Sequence, residues 1–547
     1  MKIYKSFFGL CVAVFSLTSL TGCMEETEPT TVATEKQIQQ SSAASDAFLM
    51  AMPAYLNHLN STLAHDPYSW HAVFGYGAMM YIRDMMTQDK VFGGETGYGL
   101  HFSDYAEDKY QGDGYLNGQY INNYYYELVL AANNMIGSVN PDNATNEQLG
   151  DLGAGLAFRA LAYLDMARMY EWLPNDKTTS TNADGNDISG LTVPIVTPDM
   201  SQEQATNNPR ATHQQMFDFI KNDLDNAEKY IVNLSTRSDN TLPDLACVYG
   251  LKARLYMWNE DYANAEKYAR LAINSASVAP MTQNDATNIT TGFNDTSKWM
   301  WGAKMTSEDA VVKTGIVNWV SWSSNQTSFG YTGSGTGMYT MIDRSMYDRM
   351  SDTDWRKLEF VAPEGSPLEG KNKFINGYKD WDKIPAYAAL KFRPAQGNAS
   401  ESQTGAASAY PIMRVEEMYF IEAEAAAHQD AAKGAKLLTE FMKNYRDPYY
   451  STKKTDKDDV VEEIVFQKRV ELWGEGQTFF DIKRLNYSVR RGYPGTNCAD
   501  ELARLNTDGR PAWMNLVLIR TEANNNKALV GMNNPDPSDK YTPWVEK

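Results

Sequence analysis

The 547-residue sequence predicts a mainly α protein in which tetratricopeptide-like helical pairs form a scaffold carrying a loop-rich variable region. Three observations carry that prediction. Apolar residues recur at helical spacing in several separate segments. Two of these segments share an internal offset, because Ala253 and Ala265 are twelve residues apart, as are Ala423 and Ala435. Between them, residues 280–400 lose helical periodicity and become rich in Gly, Ser, Thr, Asn and aromatics. Turn-rich stretches of that length inside a compact protein are usually functional loops on a rigid support.

Met1 to Lys5 holds two lysines, and Phe7 to Leu20 is mostly apolar. This is the pattern of a signal peptide and is too short for a spanning helix. Leu20-Thr21-Gly22-Cys23 resembles a bacterial lipobox, in which the cysteine thiol accepts a diacylglycerol and becomes the first mature residue. The expected organisation is therefore a signal peptide over 1–22, a lipidated flexible tether over 23–40 and a single domain over 41–547.

The body opens with Phe48, Met52, Tyr55, Leu56 and Leu59 at helical spacing. Tyr124 to Ile136 reads as a second helix. Leu156, Ala160, Tyr163, Leu164 and Ala167 stripe a third, which Trp172-Leu173-Pro174 ends. Thr212 to Gln215 forms a capping-box pattern opening a fourth, with Met216, Phe219, Ile220, Leu224, Ala227 and Ile231 on its apolar face. In residues 246–273 and 417–442 small residues face each other across a short turn, which lets paired helices pack closely. Residues 176–209 and 487–547 share the loop-rich character of 280–400.

Lys and Arg total 50 against 69 Asp and Glu, a formal charge of −19, so a nucleic-acid partner is disfavoured. Cys11 leaves with the signal peptide and Cys23 takes the lipid. Cys247 and Cys498 remain, either as a disulfide or as two buried thiols. No Cys/His spacing suggests a metal, and no cofactor motif is present. The 33 Tyr, 20 Phe and 12 Trp stand against 6 His, a balance that leans toward binding rather than chemistry.

Several strings, in order, resemble the SusD/RagB-type outer-membrane nutrient-binding lipoproteins of Bacteroidetes. Phe158-Arg159-Ala160-Leu161 through Tyr170 is similar to the FLRA-type helix of that family, and Val193-Pro194-Ile195-Val196-Thr197 to its VPLVT-like strand. Pro209-Arg210-Ala211-Thr212 opens the helix that contains Asp223-Leu224. Leu251-Lys252-Ala253-Arg254-Leu255-Tyr256 is the central match. Tyr410-Pro411-Ile412-Met413-Arg414 leads into Glu416-Glu417-Met418-Tyr419 and Glu422-Ala423-Glu424-Ala425. Arg469-Val470-Glu471-Leu472 with Gly474-Glu475-Gly476 and Phe479-Phe480-Asp481 completes the series. The acidic run Glu25, Glu26 and Glu28 after the lipobox resembles the surface-export signal of such lipoproteins. Gln477-Thr478-Phe479 and Leu516 to Arg520 depart from the usual strings.

The resemblance implies a SusD-like α/α superhelix of four tetratricopeptide-like pairs, with ligand-binding loops inserted mainly at 60–110 and 280–400. It implies a lipid-anchored protein on the cell-surface side of the outer membrane, without catalytic activity or cofactor. It further implies an oligosaccharide ligand and a SusC-type TonB-dependent transporter as partner. A peptide ligand, as in RagB-type relatives, is the alternative on the same scaffold, and a surface glycosidase is an alternative of another class.

Sugar rings stack on aromatic faces while their hydroxyls need amide, carboxylate or hydroxyl partners. Trp319, Trp322 and Tyr331, among Asn318, Ser321, Asn325 and Gln326, offer both, unless the rings fill a secondary core beneath the loops. Trp70 and Tyr98 are the expected ligand-binding residues of the earlier loops. Trp299 and Trp301 alternate around Met300 and read as core. Asp458-Asp459 and Glu462-Glu463 read as helix-start charge rather than a catalytic pair. The Gly-rich run 333–337 lacks a strand–helix frame and reads as a flexible loop, and Asn182 to Asp187 as a polar turn.

Overall fold

A computed structural model describes residues 38–39, 41–60, 73–93, 105–235, 239–376, 378–498 and 504–546. The expected signal peptide, Cys23, nearly all of the tether, Trp70 and Tyr98 lie outside the described residues.

Helix α1 (Ser42–Leu56) starts at a Ser41 cap, and α2 (Tyr76–Met85) is buried along its whole length. Then follow α3 (Leu116–Gly137) and α4 (Asn146–Tyr170). Helix α3 begins eight residues before the apolar segment starting at Tyr124. Its first turns are polar in sequence but are held by packing, which a periodicity reading misses. Helix α5 (His213–Tyr230) has the expected capping box, with Thr212 accepting from the Gln215 amide and Gln215 accepting from the Thr212 amide. The first repeat-like pair is α6 (Leu245–Trp258) and α7 (Tyr262–Ser275). The second is α8 (Val415–Gln429) and α9 (Ala431–Tyr445). Helices α10 (Lys457–Glu471) and α11 (Thr478–Arg484) follow.

Neighbours in the chain are neighbours in space from α3 to α7, and α7 then packs directly on α8. Residues 276–414 are therefore inserted between two adjacent members of one helical array. Ala265, Ala269 and Ala272 of α7 are fully buried, as are Ala425 and Ala426 of α8, so small side chains set the close spacing. Gly434 does the same between α8 and α9, because a Cβ there would lie 2.7 Å from the Ala423 carbonyl oxygen.

Buried ion pairs join the array. Arg159 of α4 forks onto Asp223 of α5 at 2.8 and 2.7 Å, and Arg254 of α6 onto Glu417 of α8 at 2.8 and 2.6 Å. Each planar guanidinium fixes the rotation of one helix against the next, since both carboxylate oxygens are engaged.

Among the described residues, strands of the insertion take part in two small antiparallel sheets. Strand β1 (Lys90–Gly93) pairs with β3 (Tyr339–Ile342), and β2 (Trp301–Lys304) with β4 (Ala409–Met413), which leads into α8. Trp299 and Trp301 are core residues, as their alternation predicts. One continuous core runs from Leu49 to Leu529, with a satellite core between α8, α9 and α10. Cys247 and Cys498 are buried thiols, not a disulfide. Among the described residues no helix is long and apolar enough to cross a membrane.

Candidate ligand-binding face

The two loop regions singled out in the sequence meet in space. Gly93, at the end of β1, pairs with Tyr339 at the start of β3, and the Phe74 ring lies 6.5 Å from that of Trp322. The chain thus brings Phe74 and Gly93 of the earlier region beside Trp322 and Tyr339 of the later one.

The expected stacking residues lie beneath this face. Trp319, Trp322 and Tyr331 are 0%, 1% and 2% exposed, which corrects the reading of them as ring platforms open to solvent. Trp319 packs edge-on against Phe392 at 5.2 Å and tilted against Tyr410 at 5.3 Å. Trp322 is stacked on Tyr331 at 4.4 Å and tilted against Tyr81 at 4.9 Å. The physical reason is local. Trp319 and Trp322 share a short helix, Trp319–Ser323, so their spacing of three puts both rings on one face, with buried Val317 and Val320 beside them.

The polar residues expected to bind sugar hydroxyls are engaged internally. Asn318 caps that helix by accepting from the Ser321 amide, and the Ser321 hydroxyl accepts from the Tyr331 amide at 2.9 Å. Asn325 donates to the carbonyls of Thr340 and Ala389 at 2.7 and 2.9 Å and accepts from the Thr340 amide. It thereby ties β3 to the 388–389 segment beside it. Gln326 accepts from the Ile375 amide at 2.8 Å. Residues 333–337 form a closed turn rather than a flexible loop. The Gly333 amide donates to Met338 at 2.8 Å, and at its φ of +87° a side chain would be driven toward the Asn325 carbonyl.

Above this floor is a feature the sequence reading missed. Trp381 is 55% exposed, and no other tryptophan among the described residues is exposed to that degree. Its ring sits 5.7 Å from that of half-buried Phe374. Asp380 beside it accepts from Lys383 at 2.6 Å. Hydrogen bonds from Lys383 and then Ser334 hold the Asp380 carboxyl below its ordinary range, so it is an ionised acceptor. Tyr378 anchors the segment underneath. Its hydroxyl donates to the Asn325 carbonyl and accepts from the Ser334 amide, both at 3.3 Å. Burial pushes that hydroxyl up, so it stays protonated. The arrangement offers an aromatic surface, an ionised acceptor and an ammonium donor on a supported loop.

The available signal was the string Lys379-Asp380-Trp381-Asp382-Lys383. A tryptophan flanked by four charges has no apolar neighbours with which to form a core stripe. A second exposed aromatic pair, Tyr110 and Tyr115, lies edge to face at 5.2 Å just before α3.

Several acidic side chains that could have formed a catalytic pair are committed to ion pairs. Glu422 bonds Arg270, Glu424 bonds Arg484 at 2.6 Å, and Glu462 and Glu463 share Arg349 at 2.6 and 2.8 Å. Among the described residues no group of three or more His, Cys, Asp or Glu is placed to hold a metal ion. Asn182 in the polar turn accepts from the Asp184 and Asn186 amides and donates to the Gly531 and Asn533 carbonyls.

Two family models match the chain. One, described as the SusD family, covers residues 386–510, and one described as starch-binding associating with outer membrane covers residues 78–257. Together they take in more than half of the sequence. The chain belongs to the SusD family. Solved structures agree with that fold over nearly the full length. A SusD-like carbohydrate binding protein from Bacteroides vulgatus superposes with a TM-score of 0.65 at 19% identity, covering 89% of this chain and 96% of that one. A putative sugar binding protein from the same organism gives 0.64 at 18%, covering 91% and 98%. A SusD superfamily protein from Bacteroides thetaiotaomicron gives 0.64 at 18%, covering 89% and 98%. No curated protein matches. The SusD-family scaffold explains why the matched strings hold Arg159, Arg254, Glu417 and Glu471. All four are charged residues buried within the helical array.

Proposed function

We propose that this SusD-family chain is a non-catalytic glycan-binding lipoprotein on the outer surface of the outer membrane. It captures oligosaccharides on the loop face and delivers them to a SusC-type TonB-dependent transporter. The observation that carries the ligand class is the Trp381 platform. An exposed indole flanked by Phe374, with Asp380 and Lys383 alongside, matches the amphipathic surface of a sugar, an apolar ring face edged by hydroxyls. The outer-membrane and starch-binding wording of one matching family, and the sugar-binding names of two structural neighbours, support the same reading. The lipobox at Cys23 supplies the anchor, and acyl chains contribute ~0.8 kcal/mol per buried methylene.

The test is calorimetric titration of the mature protein with an oligosaccharide panel and a peptide panel. Binding to at least one oligosaccharide, weakened about tenfold in Trp381→Ala, is expected, roughly the loss of one stacking contact. Peptide binding without glycan binding would transfer the site to the RagB-type alternative. Unchanged affinity in the variant would remove Trp381 from the site. Cys23→Ala should move the protein from the membrane to the soluble fraction, and a variant that still sediments with membranes would contradict lipid anchoring.

A further inference from the structure

Helices α4, α6, α8, α10 and α11 meet around a cavity of about 30 Å³. Its wall is unusually cationic for a helical core. Arg168, Arg254, Lys468, Lys483 and Arg484 line it, against the carboxylates Glu417 and Asp481.

The pairing of these groups leaves positive charge over. Arg254 spends Nε and Nη2 on Glu417, Lys468 lies 3.1 Å from Asp481, and Arg484 reaches both Asp481 and Glu424. Arg168 pairs with Asp165 at 2.6 Å, but Asp165 is also held by Arg83 at 3.1 Å. Among the described residues Lys483 touches no carboxylate, and its ammonium donates to the Met169 carbonyl at 2.6 Å. The carboxylates nearest in its field are engaged elsewhere, Glu171 with His213 and Trp258, and Asp176 with Arg510. On the cavity wall itself, five basic side chains stand against two carboxylates. Moreover, Arg254 Nη1 is buried and has no hydrogen-bond partner among the described residues. A buried guanidinium N–H left unmade is costly, and an excess of desolvated charge more so.

We propose that this cavity is an anion site that takes one monatomic halide, chloride under ordinary conditions, with Arg254 Nη1 as a donor. The size suits this occupant, since a cavity of about 30 Å³ holds one such ion or a water or two. The site also explains how Lys483 is accommodated. Burial and then the neighbouring Arg510 guanidinium push its ammonium well below the ordinary lysine range, and a counter-anion opposes both effects. Bound there, the ion adds to the Arg254–Glu417 and Arg270–Glu422 pairs that tie the first repeat-like pair to the second across the insertion.

Crystals of the mature protein soaked in sodium bromide provide the direct test. An anomalous peak inside the cavity beside Arg254 is expected, and a cavity holding only water would overturn the proposal. In solution, melting in sodium chloride should exceed melting in sodium gluconate of equal ionic strength by about 2–3 °C and should saturate with chloride. Lys483→Met, which removes excess charge, should lose that difference. Equal melting of the wild-type protein in both salts would also overturn the site. Where Lys483→Met does not fold, the bromide peak in the wild-type crystal decides.

Discussion

Glu359 lies in the most charged part of the interior. Around it Arg414 engages Glu416, Glu471 and Glu475, Arg446 engages Glu416 and Glu471, Arg356 engages Asp354 and Glu471, and Lys391 engages Glu475. Burial raises the Glu359 carboxyl from 4.5 to about 7, and Lys391 only partly opposes it. A carboxyl raised on folding favours the fold when protonated. Its contribution is complete below pH 4.5 and is lost as pH rises through about 7. Glu359→Gln keeps the shape without the titration. Urea denaturation at pH 5 and pH 8 should therefore show a smaller loss of stability toward pH 8 in the variant, and parallel pH slopes would remove Glu359 as the cause. Single residues were the least legible scale in the sequence. Trp319 and Trp381 look alike in composition, and only their company separates them. Trp319 has apolar neighbours at helical spacing, whereas Trp381 has charges on both sides. The ion pairs of Glu471 join residues up to 115 apart, which no local pattern encodes.

Helices were more legible, because 3.6-residue periodicity and caps are local. The Thr212 capping box and the shared alanine offset both correspond to observed elements. The offset identified the correct pairs but not the tightest contact in the second one. Ala435 is only half-buried, and Gly434 makes the close approach to α8. A Cβ at Gly434 would lie 2.6 Å from Ala427 Cα, a backbone atom that cannot rotate away. Gly434→Ala gains helix propensity of up to ~1 kcal/mol, but it must force α8 and α9 apart at a cost of roughly 1–3 kcal/mol. A net fall in stability is expected on guanidinium denaturation. A rise would mean that this interface yields more readily than its spacing implies.

At the scale of the whole molecule, the C-terminal segment closes the structure over the helical array. Arg210, just before α5, donates Nη1 to the Met532 carbonyl and the Asn534 side chain at 3.0 and 2.9 Å. It donates Nη2 to the Tyr170 and Leu191 carbonyls. Asn534 in turn donates to the Tyr170 and Leu516 carbonyls, both at 2.7 Å. The end of α4, the start of α5 and the tail thus share one buried knot, with Arg210 and Asn534 both nearly inaccessible to solvent. The sequence showed the tail only as a turn-rich stretch. Its contacts run to residues more than 300 positions away, as with Arg210 and Met532. Burial of Arg210 without these partners is expensive, since hydrogen bonds to charged groups are worth about 1.5–3 kcal/mol each. Truncation after Gly531 removes two of its acceptors and the Asn534 bond to the end of α4, so the loss should reach at least about 3 kcal/mol. The shortened chain should melt several degrees lower, and Asn534→Ala in the full chain should reproduce part of that fall. Melting within a degree of the full-length protein in both cases would mean that water replaces the knot and the tail is not a structural strap.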